Sequence, residues 1–416
     1  MNIIQGFQDI LPDRLEQKRF CEQKLVQIFQ QWGYREINTP TLEYYDILAQ
    51  GIGPELRKKM YKLLNSEGDI IVLRPDMTTP IARVAATKLT HTNNDFHKLY
   101  YLNNIFRKST SRMEEQQEFY QAGIELIGLN NPWADAEVIA VAVKALLNTG
   151  LQDFYIDIGS AKFFNAIMAK LPLSAEDQKA IRQSIMDKDF VQLERLLYHS
   201  DIPKKEQEMI LHLPHWRGNK AMIQEAINSL KKDNPTACQA LREMNEVYRY
   251  LQAYQLDRYI LIDLGMIRNF DYYTGIVFEG YTTQVGSAIC GGGRYDQLCQ
   301  KFGQDLPSTG IAINIEKLLQ VLLREQRYPL GPAKTKKYFI RFKNNLLPMA
   351  LKLAQDLRNE GNITEMELLK GRSRDQALQY ARLKKMDYFI DMCSEDWDQV
   401  SRFNLKTNKE ESLNDE

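Results

Sequence analysis

Five short runs in this 416-residue chain group side chains able to hold a small charged ligand. The first is Arg74-Pro75-Asp76-Met77-Thr78, which follows an apolar stretch. The second is Phe106-Arg107, leading into a charged loop at Ser109–Glu115, and the third sets Gln121 and Glu125 inside an apolar segment. The fourth is Arg268–Gly275, with the pair Tyr272–Tyr273, and the fifth is the glycine run and following residues of Gly291–Asp296. Each alone has a structural explanation. Arg74 and Asp76 make a surface ion pair worth under about 1 kcal/mol. Arg107 is a solvated cation, Glu125 belongs to a structural ion pair, the tyrosines pack a sheet, and the glycines mark a bulge or a close backbone crossing. Together they meet a different need. An amino-acid zwitterion requires an anion for its ammonium and a cation for its carboxylate, and an imidazole side chain adds an acceptor and a flat aromatic neighbour. Asp76, Gln121, Glu125, Arg268, Tyr272 and Tyr273 supply that set.

The elements that must position these residues follow from hydrophobic spacing. Arg14–Trp32 reads as an amphipathic helix stopped by Gly33. Tyr34–Leu42 reads as a strand interrupted by Pro40, and Ile70–Leu73 as a short buried strand. His97–Phe106 and Gln117–Ile127 read as two strands, Asp135–Leu147 as an apolar helix, and Phe154–Ile158 as a strand. Even spacing then puts Gln121 and Glu125 on one face of their strand. From about residue 173 to 254 strands give way to helical spacing, opened by a capping box at Ser174–Asp177. Strands return at Tyr259–Leu264, Gly275–Tyr281 and Ala288–Ile289, and Gly310–Leu323 starts extended and turns helical. After a linker at 326–337, residues 338–395 alternate strand and helix as a small α/β domain, and 396–416 reads as a disordered polar tail.

Bulk properties narrow the class. Lys plus Arg and Asp plus Glu are 54 each, so no global field draws in a polyanion, and tRNA gains no support from charge. The five cysteines are dispersed without a Cys-x-x-Cys pair, which points to free thiols in a reducing compartment. The five histidines form no metal-binding spacing, so no metal or other cofactor is expected. With no apolar run of membrane-spanning length and no signal segment, the expectation is a cytoplasmic protein away from membranes.

From Gly6 to Lys317 the sequence resembles the class II histidyl-tRNA synthetase family. GFQDILP (Gly6–Pro12) is similar to the family's opening segment, and Gly33–Glu43 to its first motif, which makes the dimer interface. Phe106–Gln121 is similar to its second motif, and Arg268–Gly275 and Gly292–Asp296 to its histidine-specific blocks. The resemblance implies an α+β fold: a class II synthetase-like core over 1–325 with a mixed, mainly antiparallel sheet flanked by helices, and the helical insertion. The 338–395 unit would be a reduced anticodon-binding domain. It also implies a histidine site of Asp76 (shortened from the family's Glu), Thr78, Arg107, Gln121, Glu125, Arg268, Tyr272 and Tyr273. Asn269 stands where the family has glycine.

The nucleotide side departs from the pattern. Phe-Arg-x-Glu becomes Phe106-Arg107-Lys108-Ser109, a loop arginine falls on Gln117, and the terminal Gly-x-Glu-Arg becomes Asn314-Ile315-Glu316-Lys317. Losing one well-placed donor to a developing oxyanion typically costs on the order of 100-fold, and lysine offers neither a bidentate fork nor a flat stacking face. LRPDMTTPIAR (Leu73–Arg83) resembles the regulatory subunits of ATP phosphoribosyltransferase, a paralogous branch. That branch implies a non-catalytic subunit that self-associates through the first motif and joins a short catalytic subunit in a hetero-octamer. It would activate that partner and carry histidine feedback in the first step of histidine biosynthesis. A working histidyl-tRNA synthetase and another synthetase-like histidine sensor are the alternatives.

Overall fold

The computed structural model describes residues 3–89, 96–109, 116–230, 233–267, 272–325, 335–368, 372–394 and 400–412. The chain divides into two compact units, Met1–Tyr328 and Pro329–Glu416. The first unit's strands are β1 (Arg35–Glu36), β2 (Leu42–Tyr44), β3 (Lys62–Leu64), β4 (Ile70–Leu73), β5 (His97–Phe106) and β6 (Glu118–Ile127). They continue with β7 (Tyr155–Ser160), β8 (Arg217–Gly218), β9 (Ile260–Asp263), β10 (Ile276–Tyr281), β11 (Cys290–Arg294) and β12 (Ser308–Asn314). Nine of them form one sheet in the order β1-β5-β6-β12-β11-β10-β7-β9-β8. The β1–β5 and β7–β9 pairs are parallel and the other pairs antiparallel, which gives a mixed, mainly antiparallel α+β core.

The centre of this sheet is buried on both faces. From Gln121 to Ile127 every residue of β6 is buried, and the helix Pro132–Asn148 lies almost wholly inside the core behind it. That helix is mostly apolar, its two buried acids are paired (Asp135 with Arg294 and Glu137 with Lys98), and Asn131 caps it by accepting the Ala134 N–H at 2.9 Å. The helix Pro12–Gln31 adds Cys21, Leu25 and Phe29 to the same core.

Among the described residues between β7 and β9, every element but the two-residue β8 is a helix, from Ala161–Met168 to Pro235–Ala253. Its opening cap is one-sided. Ser174 Oγ accepts the Asp177 N–H at 3.1 Å, but the Asp177 carboxylate accepts from the same hydroxyl at 2.7 Å, not from the cap backbone. The expected single strand over 34–42 is two short strands in different sheets: β1 joins the large sheet and β2 pairs with β4. Pro40 has no N–H for a ladder, so the chain changes sheets there. The strand expected at 288–289 begins instead at Cys290.

In the second unit β13 (Lys337–Phe342), β14 (Ile363–Leu368) and β15 (Tyr388–Met392) pair in parallel, crossed by helices Leu347–Asn359 and Arg374–Leu383. The expected disordered tail is corrected over 401–412. There β16 (Ser401–Asn404) and β17 (Lys409–Ser412) form a hairpin that extends this sheet. Its charges are used in pairing rather than left to solvent. Arg402 sits opposite Glu411, bonds it at 3.1 Å, and lies 5.0 Å from the Tyr388 ring centroid.

Candidate functional site

One cavity of about 760 Å³ opens on the large sheet, within the usual range for small-ligand pockets. It draws Asp76, Thr78, Arg107, Gln121, Tyr272 and Tyr273 together around its lining. Glu125 stands behind it, held by two lining residues: Thr78 Oγ1 donates to Oε1 at 2.9 Å, and the Tyr295 hydroxyl donates to Oε2. Thr78 opens the helix Thr78–Val84, and Asp76 lies just before it, so the loop after β4 delivers both residues to the pocket. Residues 268–271, and with them Arg268 and Asn269, lie outside the described residues.

The two carboxylates are in unusual environments. Asp76 is buried and its carboxyl is raised by desolvation, against the nearby positive charge of Arg107, the Thr79 N–H that bonds Oδ1 at 3.3 Å, and the neighbouring Thr79 hydroxyl. Its Oδ2 has no hydrogen-bond partner among the described residues. Glu125, also buried, is pushed up to about 8 by desolvation, with the Tyr295 and Thr78 bonds opposing and the charge of Asp76 adding. Two desolvated carboxyls beside one cavity form a receptor for cationic or N–H groups, because such a group supplies the missing charge or proton donor.

Space for Glu125 is made by an absence. Gly310 sits directly opposite it across β6 and β12, and a Cβ there would fall 1.6 Å from Glu125 Oε2. Gly123 faces Tyr101 across β5 and β6, and a Cβ there would lie 2.4 Å from the Tyr101 ring and hydroxyl. Tyr272 and Tyr273 pack with centroids 4.8 Å apart, and Tyr272 meets Tyr295 edge-on at 5.8 Å, which gives the cavity an aromatic wall. Sequence reading left Tyr101 and Gly310 out of the site, and it flagged the run that holds Tyr295 without giving that residue a role. The signal for Tyr101 and Gly310 was cross-strand register, which the sequence does not display.

Two structural explanations are corrected here. Arg74 and Asp76 make no surface ion pair, since both are buried. Arg74 is a clamp, donating to Thr39 O at 2.7 Å, Asn104 O at 2.9 Å, Asn103 Oδ1 at 3.0 Å and Asn104 Oδ1 at 3.1 Å. Nor is Arg107 a solvated surface cation: it lines the cavity, donates Nε–H to Pro75 O at 2.7 Å and lies 5.4 Å from the Phe119 ring centroid. Arg294, in the fifth run, ties β11 to the buried Asp135, with Nε–Oδ2 2.9 Å.

The histidyl-tRNA synthetase family model matches residues 6–318. A Desulforamulus reducens protein named ATP phosphoribosyltransferase regulatory subunit is 38% identical over 86% of this chain and 87% of its own length. A Clostridium botulinum protein of the same name is 37% identical over 95% of this chain and 92% of its own. The chain belongs to the ATP phosphoribosyltransferase regulatory subunits, within the histidyl-tRNA synthetase family. Among solved structures, a Bacillus halodurans protein described as an ATP phosphoribosyltransferase regulatory subunit/histidyl-tRNA synthetase superposes with TM-score 0.82 at 30% identity, covering 94% of this chain and 97% of that one. A Nostoc histidyl-tRNA synthetase gives TM-score 0.84 at 21% identity, covering 99% and 96%, a likeness of fold.

Two of the three positions expected to have lost nucleotide contacts, Gln117 and Lys317, have defined partners. Gln117 accepts a hydrogen bond from the Tyr61 hydroxyl and donates Nε2–H to Gln5 O at 3.0 Å, so its side chain braces the N-terminal segment. Lys317 lines the cavity, donates to Ala288 O at 3.2 Å, and has its backbone N–H capped by Asn314 Oδ1 at 2.9 Å. Ser109 closes the described part of the second motif, and 110–115 lie outside the described residues. No helix among the described residues is long and apolar enough to cross a membrane.

Proposed function

We propose that this chain is a non-catalytic regulatory subunit of ATP phosphoribosyltransferase that binds L-histidine in the cavity beside β6. It joins a short-form catalytic subunit, raises its activity in the first step of histidine biosynthesis, and carries histidine feedback inhibition. The observation that carries this reading is near-full-length similarity, 37% identity over 95% of the chain, to proteins that bear the regulatory-subunit name. The pocket is consistent with it. Asp76 and Gln121 suit the ammonium, Glu125 the imidazole N–H, Tyr272 and Tyr273 the ring, and Arg107 the carboxylate, for which the family resemblance also assigns Arg268.

Aminoacyl-adenylate formation is lost on this reading, since Ser109, Gln117 and Lys317 stand where the family handles ATP, and a lysine cannot replace an arginine fork. The subunit works in the cytoplasm without a cofactor or tRNA, self-associates through the first-motif region, and assembles with its partner as a hetero-octamer. Co-expression with a short catalytic subunit tests this directly. The two chains should co-purify, phosphoribosyl transfer should rise, and histidine should inhibit it. Failure to associate would favour a synthetase-like histidine sensor with another partner. Brisk histidine-dependent exchange of pyrophosphate into ATP would instead restore the synthetase reading.

A further inference from the structure

We infer that the Tyr101 hydroxyl is a ligand contact that, with Asp76 Oδ2, receives the α-ammonium group and makes the pocket select amino acids over their deaminated analogues. This rests on the reading of the cavity as a histidine site. Tyr101 is fully enclosed, lines the cavity, and its hydroxyl has no hydrogen-bond partner among the described residues. Asp76 Oδ2 is in the same condition beside the same cavity. Buried polar groups are almost always paired, so two orphans at one cavity mark a place where a missing group would satisfy both.

The chemistry of that group follows from the pair. Burial above all, with the carboxyls of Glu125 and Asp76 adding, holds the Tyr101 phenol well above its usual range, so it keeps its proton. A phenol oxygen and a carboxylate oxygen both accept, and an ammonium offers three donors. A carboxylate placed there would set an acceptor against the Asp76 oxygen, and an apolar group would leave both orphans unsatisfied. The backbone is shaped for this hydroxyl: Gly123, directly opposite Tyr101, is where a Cβ would lie 2.4 Å from the hydroxyl oxygen.

An orphan hydroxyl gives the free protein nothing, so its removal separates binding from folding. Calorimetric titration of wild type and Tyr101→Phe with L-histidine and with imidazolepropionate, which lacks the amine, is the test. The variant should bind histidine roughly tenfold or more weakly, as expected for a hydrogen bond to a charged group, and imidazolepropionate within about twofold of wild type. Its ligand-free Tm should equal or exceed that of wild type. Equal weakening for both ligands, no weakening for either, or a lowered ligand-free Tm overturns the inference. Wild type binding neither ligand overturns the histidine-pocket reading and this inference with it, whereas wild-type histidine binding unaffected by Tyr101→Phe overturns the inference alone.

Discussion

At the scale of single residues, Glu125 sets how the empty pocket responds to pH. Burial lifts its carboxyl from 4.5 to about 8. An acid whose folded-state value is raised holds its proton longer in the folded state, so stability falls as pH rises between the two values. The cost is absent below about 4.5 and complete above about 8. Glu125→Gln keeps the shape and removes the titration. The ligand-free variant's Tm should exceed wild type by a margin that widens across that window, reaching roughly a few degrees, and then stays level. A margin constant with pH in thermal melts would show that Glu125 does not titrate there. Histidine binding should draw a proton off Glu125 near neutral pH, because an imidazole N–H favours the carboxylate. Titration heats that do not change with the ionisation enthalpy of the buffer would contradict that role. Glu125 and Gln121 were legible in the sequence because even spacing in an apolar strand puts two costly polar groups on one face. Tyr101 was not, since one more aromatic in His97–Phe106 looks like packing until Gly123 is found opposite it.

At the scale of elements, the site depends on two strands lying closer than side chains would allow. A Cβ at Gly292 in β11 would meet Gly310 O at 2.0 Å, and one at Gly310 in β12 would meet the Glu125 carboxylate at 1.6 Å. These obstacles differ in kind. The backbone carbonyl met at Gly292 is 2.0 Å away and cannot turn aside, whereas at Gly310 the carboxylate can rotate if it gives up Tyr295 and Thr78, leaving the Ile124 carbonyl at 2.7 Å as the milder backbone clash. Gly292→Ala should therefore destabilise more than Gly310→Ala, by about 1–3 kcal/mol or more for overpacking, as measured by urea denaturation. Gly310→Ala should lose histidine binding while staying folded at neutral pH. The reverse order of stabilities would mean that the sheet spreads easily at β11. The glycine run was legible as a close backbone crossing, because no side chain fits where strands touch. The split of 34–42 between two sheets was not, since each piece is too short to show a period, and only Pro40 hinted at the break. The final hairpin was hidden for a different reason: Arg402 and Glu411 look like solvated charges until pairing puts them opposite each other.

At the scale of the whole molecule, self-association has a physical candidate in the small sheet β2-β4-β3. Register puts Leu42 opposite Leu73, and Tyr44 and Leu63 both opposite Ile71, so these five apolar side chains share one face. The other face is used at its centre, where Val72 packs against Leu48 and Ile52 and Glu43 bonds Arg83 at 2.6 Å, although Leu64 and Ile70 at its end are exposed. Among the described residues nothing covers the first face in the same way: Leu42, Tyr44 and Leu63 are all exposed. A contiguous apolar face rimmed by polar residues marks an interaction site, and here it includes β2, which begins within the last two residues of the motif expected to make the dimer interface. Leu63→Lys with Tyr44→Lys should leave the far-ultraviolet circular dichroism unchanged and convert a wild-type dimer to a monomer in sedimentation equilibrium. A variant that remains dimeric would place the interface elsewhere. The driving force can be checked separately. Positive and negative side chains balance at 54 each, and the face itself carries no charge, so association by apolar burial should be nearly insensitive to screening. Raising salt from about 0.1 to 1 M, which shortens the Debye length from roughly 10 to 3 Å, should leave the dimer intact, whereas dissociation over that range would mean ion pairs hold it.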